Sequence, residues 1–311
     1  MSKTVQGRNG AHSKASKRRK KQKNRLIIVV IEILVLLILA AVLFVTVKLS
    51  KIQKDTSFNK EDIEVNEGLS SESQEIMAGY TTIALFGLDN RSNGNLSKGN
   101  SDVIMIASIN NDTHAVKLVS VYRDSYLDIG GGTFKKCNSA QKIYTFNKLT
   151  KNNSKYLSGG GTNVEMDGVQ ACAYARIRYT TGDDYKRTER QRTVLTAMVQ
   201  KAQKANLTTI NSLIDELFGD IKTSFSNTEL ISLAAKVFNY SLGETIGFPF
   251  EKNTTTLGNK GSVVVPCDLE SNVKQLHVFL YDDNEYAPTD TVKNNSAQIV
   301  NDTGFHQGEG Y

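Results

Sequence analysis

The sequence is poor in cysteine, histidine and arginine, and these shortages exclude several kinds of site. Three cysteines and four histidines are spread through 311 residues. Neither paired cysteine spacing nor a His-Glu-x-x-His run occurs, so a zinc site is not expected. The Gly-x-Ser-x-Gly turn of serine hydrolases is also missing. Because the number of cysteines is odd, we expect at least one free, buried thiol.

Acidic residues are missing from residues 1–25, which contain ten lysines or arginines. The net charge of +6 therefore leaves −4 for the rest of the chain, and this balance argues against a nucleic-acid partner. Residues 26–47 carry one charge, Glu32, and as a helix they would be about 33 Å long, enough to span a bilayer. The basic tail predicts contact with anionic membrane lipid, a cytoplasmic N-terminus and a body outside the membrane. The length of the apolar run favours an uncleaved signal-anchor, and a cleaved signal peptide is the alternative.

The rest of the chain is predicted to divide into four parts. Residues 48–78 are polar and have the composition of a flexible extracellular linker. Residues 79–205 hold the strand patterns and the clustered arginines, and form the main domain. Residues 206–290 are expected to add helices and a short strand over 262–266. Residues 291–311 are expected to be a disordered tail.

Charged residues lie at the ends of three predicted strands in the main domain. The strands are predicted over 81–86, 103–109 and 115–121, from their apolar composition. Buried strands rarely carry charge, whereas strand ends at a ligand cleft often do. The charged residues are Asp89, Arg91, Asp102, Arg123 and Asp124.

Arginine is used sparingly and in clusters. Beyond Lys48 the chain has 20 lysines but only seven arginines. Residues 173–178 alternate as in a half-buried strand, and a helix is predicted from about Tyr185. Arginine forks and helix N-termini both bind phosphate oxygens, so the cluster favours a phosphate or diphosphate ligand. A solvated charged helix paired with nearby acids is the alternative. The clustered residues are Arg176, Arg178, Arg187, Arg190, Gln191 and Arg192.

Six short motifs, in this order, resemble those of the LytR-CpsA-Psr family of cell-wall assembly proteins in Gram-positive bacteria. Tyr122 stands where the family's third motif usually has proline. The resemblance covers about residues 80–204. The motifs are Gly87-Leu88-Asp89 with Arg91, Ser101-Asp102, Ser120 to Asp124, Lys136 to Ala140, Asp167-Gly168 with residues 173–178, and residues 184–191.

The resemblance implies an α/β fold, namely an α/β/α sandwich with a mixed central sheet, preceded by one transmembrane helix. It also implies a membrane-anchored extracellular phosphotransferase that moves a glycopolymer from a polyprenyl-pyrophosphate carrier to peptidoglycan, forming a phosphodiester. Asp89 and Asp102 would hold Mg²⁺, with Mn²⁺ as the alternative. Arg123 and Asp124 would be catalytic, with Asp124 chiefly orienting Arg123. The residues implied to bind substrate are Arg91, Lys136, Arg176, Arg178, Arg187, Arg190 and Gln191.

The chain departs from the family in one segment. Only 39 residues separate Lys136 from Arg176, and they are mostly polar. The family usually has a longer segment there, which helps to wall a lipid-binding cavity. A catalytically impaired protein that binds polyprenyl phosphate or cell wall, with a regulatory role, is therefore the alternative function.

Overall fold

A computed structural model describes residues 9–55, 68–89, 100–137, 164–177 and 183–311. The helices are α1 (Asn9–Leu49), α2 (Ser71–Ala78), α3 (Gly168–Arg176), α4 (Asp183–Gln203), α5 (Leu207–Leu217), α6 (Asn227–Ala235), α7 (Leu269–Tyr281) and α8 (Asp290–Thr303). The strands are β1 (Gln53–Lys54), β2 (Tyr80–Asp89), β3 (Asn100–Asn110), β4 (Ala115–Val121), β5 (Tyr126–Asp128), β6 (Phe134–Lys136), β7 (Lys222–Thr223), β8 (Ser241–Phe248), β9 (Lys252–Thr256) and β10 (Ser262–Pro266).

The chain forms two compact units, and the smaller one comprises residues 1–54 with 211–223. Residues 25–49 of α1 are long and apolar enough to cross a membrane. At the end of that helix, Lys48 and Lys51 each bind the carboxylate of Asp215 at 2.6 Å. Hydrogen bonds from these two lysines lower the pKa of Asp215 to about 2. Strands β1 and β7 pair in parallel beside this ion pair.

The larger unit is organised by a four-stranded sheet in the order β2-β3-β4-β8. The first three strands are antiparallel, and β8 joins β4 in parallel. The predicted α/β fold with a mixed central sheet is therefore confirmed. Strand β8 begins about 120 residues after β4 ends, so a long crossover lies between the two paired strands.

The core lies between one face of this sheet and helices α7 and α8. Ile104, Val119 and Phe248 belong to it together with Leu280 of α7 and Ile299 of α8. Because side chains alternate along a strand, Met105 and Leu118 point to the opposite face, where they are also buried. Helix α4 packs against β8.

The predicted disordered tail is wrong, because residues 290–303 form helix α8. Ile299 of this helix is fully buried, and the Ser296 hydroxyl accepts hydrogen bonds from the backbone of Leu269 and Glu270. Only a few large apolar residues lie in the tail, and composition alone does not show that one of them, Ile299, becomes completely buried. The predicted linker 48–78 is likewise wrong over 71–78, where Ser70 caps helix α2.

The prediction of a strand over 173–178 is also wrong for residues 173–176, and Arg178 lies outside the described residues. Helix α3 covers Gly168–Arg176 and starts with a capping box in which Asp167 and Gln170 bind each other's backbone. Alternation of small alanines with larger residues resembles a strand pattern, but alanine has the highest helix propensity of all residues. The capping box and the alanines together stabilise a helix over these residues.

Several local predictions are confirmed. Ser226 and Glu229 form the expected capping box of α6, and β10 covers the strand predicted over 262–266. Cys137, Cys172 and Cys267 are all free thiols, and Cys267 is buried. Burial raises the pKa of the Cys267 thiol to about 11. Strands β9 and β10 form an antiparallel hairpin, as do β5 and β6.

Candidate functional site

A cluster of four charged residues lies at the ends of β3, β4 and β6. Arg123 Nη1 donates to Asp102 Oδ1 at 2.5 Å, and Arg123 Nε lies 3.6 Å from Asp124 Oδ2. Lys136 Nζ lies 3.4 Å from Asp124 Oδ1. The four side chains are between a fifth and a third exposed. The cluster is therefore held together by its own ion pairs and remains open to a charged ligand.

The register of the sheet explains why Asp102 meets Arg123. Ile104 pairs with Val121 across β3 and β4, so Arg123 lies opposite Asp102 two residues further on. On the other side of β3 the register with β2 shifts after Gly87, where Val103 and then Ser101 are paired. Asp102 is the extra residue of this β-bulge. Bulges next to active sites commonly re-aim a side chain.

The backbone brings the two predicted metal ligands to one end of the sheet. Asp89 pairs with Asn100 on β3, two residues from Asp102. The side chain of Asp89 lies outside the described residues, so the metal pair stays a prediction. Among the side chains that the structure describes, no group of three or more His, Cys, Asp or Glu is placed to hold a metal ion.

A second cluster lies on the first three turns of α4. Arg187 and Arg192 are 7% and 8% exposed, and Arg187 Nη2 lies 3.5 Å from Asp184 Oδ2. In the described part of the chain, Nε and Nη1 of Arg192 and Oε1 of Gln191 are buried without a hydrogen-bond partner. Burial lowers the pKa of Arg192, against the opposing effects of Tyr122 and Glu189. A buried cation with unused donors is costly unless an anion joins it.

Tyr122 connects the two clusters. It directly precedes Arg123, its ring meets that of Tyr185 at 4.7 Å edge-to-face, and its hydroxyl is close enough to interact with Arg192. Burial raises the pKa of Tyr122. Sequence reasoning treated this tyrosine only as a departure from the family motif. In the structure it is the side chain through which the end of β4 contacts α4.

Gly247 of β8 makes room for this tyrosine. A Cβ atom at position 247 would lie only 2.1 Å from the Tyr122 hydroxyl oxygen. The parallel register places Gly247 beside Ser120, on the face of β4 that Tyr122 continues. Nothing in the sequence pairs positions 122 and 247, which are far apart along the chain.

We predict that Gly247→Ala lowers the free energy of unfolding by about 1 to 3 kcal/mol, the usual cost of an added methyl group in a packed region. In a Tyr122→Ala background the same substitution should cost much less, because the clash is gone. Urea denaturation of the four proteins of this double-mutant cycle gives the coupling. Equal costs in both backgrounds would show that Gly247 does not serve Tyr122.

The remaining predicted residues are placed differently. Arg190 Nη1 donates to the carbonyl oxygen of Ile177 at 3.2 Å and its guanidinium lies over the Tyr174 ring at 6.0 Å. Arg190 thus ties the end of α3 to α4. Arg176 is exposed at the last position of α3. Arg91 and Arg178 lie outside the described residues.

An aromatic cage borders the α4 cluster and was not foreseen. Lys252 Nζ lies 5.4, 5.0 and 5.6 Å from the ring centroids of Tyr122, Tyr185 and Tyr311. Burial lowers the pKa of Lys252 and raises that of Tyr185. The hydroxyl of Tyr311 donates to that of Tyr185 at 3.2 Å. The C-terminal residues therefore support the start of α4.

Parts of this chain are similar in sequence to known proteins. The polyisoprenyl-teichoic acid–peptidoglycan teichoic acid transferase TagU of Enterococcus faecalis is 26% identical over 194 residues, 49% of this chain and 64% of that relative. The TagU of Bacillus cereus is 24% identical over 230 residues, 61% of this chain and 73% of that relative. The match therefore spans less than two thirds of the Enterococcus protein.

A solved structure shows the same fold. Protein gbs0355 of Streptococcus agalactiae superimposes with a TM-score of 0.51 at 18% identity, over 71% of this chain and 92% of that one. The model of the LytR_cpsA_psr family matches residues 40–151 and 142–259. These stretches contain the central sheet and both charged clusters, and they make up more than half of the sequence. The chain belongs to the LytR-CpsA-Psr family.

Proposed function

We propose that the protein is a membrane-anchored extracellular phosphotransferase that moves a glycopolymer from a polyprenyl-pyrophosphate carrier to peptidoglycan. The observation that carries the proposal is the burial of Arg192 with two unused donors on α4, joined through Tyr122 to the Arg123 cluster. Phosphate oxygens satisfy buried guanidinium donors bidentately. The transferase names of the TagU relatives, which mention a polyisoprenyl-linked teichoic acid and peptidoglycan, point to the same chemistry.

In this proposal three arginines bind the substrate and stabilise the charge of the transferring group. Arg187 and Arg192 bind the pyrophosphate of the carrier, and Arg123 spreads the negative charge that develops on the transferring phosphoryl group. A sugar hydroxyl of the acceptor attacks the phosphorus that bears the glycopolymer and loses its proton to solvent. The bond from that phosphorus to the polyprenyl phosphate breaks, the polyprenyl phosphate leaves, and a phosphodiester joins the glycopolymer to the acceptor. Asp124 lies between Arg123 and Lys136, so its main part is to hold both cations in place.

The residues at the end of β3 fit a divalent cation in their chemistry. Asp102 and Asp89 are carboxylates on neighbouring strands, and oxygen ligands suit Mg²⁺, with Mn²⁺ as an alternative. Bound there, the cation would neutralise charge on the phosphates. In the structure the carboxylate of Asp102 forms an ion pair with Arg123. A divalent cation at this site would therefore share that carboxylate with the Arg123 guanidinium.

The alternative is a protein that binds polyprenyl phosphate or cell wall without turnover. The short segment between Lys136 and Arg176 favours it, and residues 138–163 of that segment lie outside the described part of the chain. The family model also matches in two stretches whose junction, residues 142–151, falls within this segment.

One assay separates the two functions. The full chain in lipid nanodiscs is given a polyprenyl-pyrophosphate-linked glycan, Mg²⁺ and peptidoglycan. We expect a phosphodiester-linked product together with released polyprenyl phosphate. Carrier or peptidoglycan binding without product would support the alternative, and failure to bind either of them would rule out both functions.

A further inference from the structure

A polar cavity of about 510 Å³ lies beside the Arg123 cluster and is used by neither function above. Its walls are one side of α8, the β5–β6 hairpin and Lys260. A volume of this size is in the range of small-ligand pockets. Its lining residues are Tyr126, Gly132, Phe134, Lys260, Asn294, Asn295, Gln298 and Asp302.

The wall from α8 is made of three side-chain amides and one carboxylate. Asn294, Gln298 and Asp302 follow one another at intervals of four, so they share a face of the helix, and Asn295 lies beside them. Gln298 Nε2 donates to Asp302 Oδ1 at 2.8 Å. Within the described residues, the side-chain amides of Asn294 and Asn295 make no hydrogen bond. Each amide offers both donors and an acceptor, which is what a hydroxyl group needs.

The charges in the cavity are already balanced through a buried tyrosine. The Tyr126 hydroxyl accepts a hydrogen bond from Lys260 Nζ at 2.5 Å and donates one to Asp302 Oδ2 at 2.7 Å. Tyr126 itself is completely buried. One cation and one anion leave no net charge to attract a phosphate. The cavity therefore favours an uncharged, hydroxyl-rich ligand, and the half-buried ring of Phe134 adds an apolar surface at its wall.

The β5–β6 hairpin connects the wall of the cavity to the charged cluster. Tyr126 pairs with Lys136 in the β5–β6 hairpin, and Lys136 binds Asp124. Gly261, next to Lys260, also lies beside Lys136: a Cβ atom there would be 3.8 Å from Lys136 Nζ. The β5–β6 hairpin and residues 260–261 thus contact both the cavity and the cluster that is proposed to act on the phosphoryl group.

We propose that this cavity is a saccharide subsite, which holds sugar units next to the reacting phosphate. The proposal rests on the phosphotransferase function for its biological role, but not for its test. The sugars could belong to the peptidoglycan acceptor or to the glycopolymer of the donor, since both present hydroxyl-rich rings.

The test compares binding by the full chain in nanodiscs with that of Asn294→Ala/Asn295→Ala. Alanine favours the helix, so folding of the variant should be intact, and its melting temperature checks this. Two lost hydrogen bonds should weaken saccharide binding roughly tenfold. The matched control is Asn301→Ala, since Asn301 is an exposed amide of α8 that does not line the cavity. It should bind like the wild type.

Two probes distinguish the source of the sugar, namely soluble peptidoglycan glycan strands and teichoic acid released from its carrier. A tenfold loss with the first alone assigns the cavity to the acceptor, and with the second alone to the donor. Wild-type affinity of the double variant for both probes, or no binding of either by the wild type, overturns the proposal. Binding is read without turnover, so failure of the transfer assay leaves this result interpretable.

Discussion

Arg123→Ala should lower the rate of glycopolymer transfer by about a hundredfold or more, the usual effect of removing a group that stabilises developing charge. Within the described residues Arg123 is the only side chain that contacts both Asp102 and Asp124, so its loss also removes the ion pair of Asp102 and leaves Asp124 paired with Lys136 alone. The measurement is the initial rate of phosphodiester formation at saturating carrier.

Two further variants make this result specific. Arg123→Lys keeps the charge but not the planar fork, and should recover only part of the rate. Arg190→Ala removes an arginine that connects α3 to α4. It should lower the melting temperature and have only a small effect on the transfer rate. A normal rate for Arg123→Ala would contradict the assignment of this residue to catalysis.

Arg192→Met should weaken binding of the pyrophosphate carrier at least about thirtyfold while leaving the fold as stable as before or more so. The two effects have opposite signs because the guanidinium is buried without a hydrogen-bond partner for Nε and Nη1 in the described structure. Removing a buried charge from its bound phosphate costs about 2 to 5 kcal/mol of binding. Replacing a buried charge whose Nε and Nη1 donors are unused by an apolar chain removes a desolvation cost in the free protein.

The measurements are carrier affinity by calorimetry and unfolding in urea. Lys201→Met is the control, because Lys201 is an exposed cation at the other end of α4. It should change neither quantity by much. If Arg192→Met destabilises the protein by several kcal/mol and leaves affinity unchanged, Arg192 belongs to the packing of α4 and not to a phosphate site.

The strands and the helix with strong local patterns could be predicted from the sequence. The apolar run over 103–109 lies in β3, and the helix predicted from Tyr185 is α4. Charged residues at strand ends pointed to Asp102, Arg123 and Asp124, and these three do meet. In each case the prediction depends on a local pattern of apolar and charged residues within one strand or helix.

What could not be predicted depends on contacts between distant parts of the chain. The role of Tyr122 requires a glycine at position 247, and the cage around Lys252 requires Tyr311. Arg192 was noticed only as one arginine among several, since a sequence does not show which of them becomes buried. Helix α8 was missed for the same reason, because the burial of Ile299 is decided by α7 and the sheet.

The parallel pairing of β4 with β8 bears on how freely the length of the chain between these two strands can vary. Everything between the two strands is crossover, so its length does not set the register of the sheet. Closing a longer or shorter loop costs little, about 0.6 kcal/mol for each doubling. Evolution can therefore trim or extend the stretch after Lys136 without rebuilding the scaffold. A longer segment grafted from a TagU protein at this point should be tolerated, which makes the stretch a natural place to exchange substrate preference.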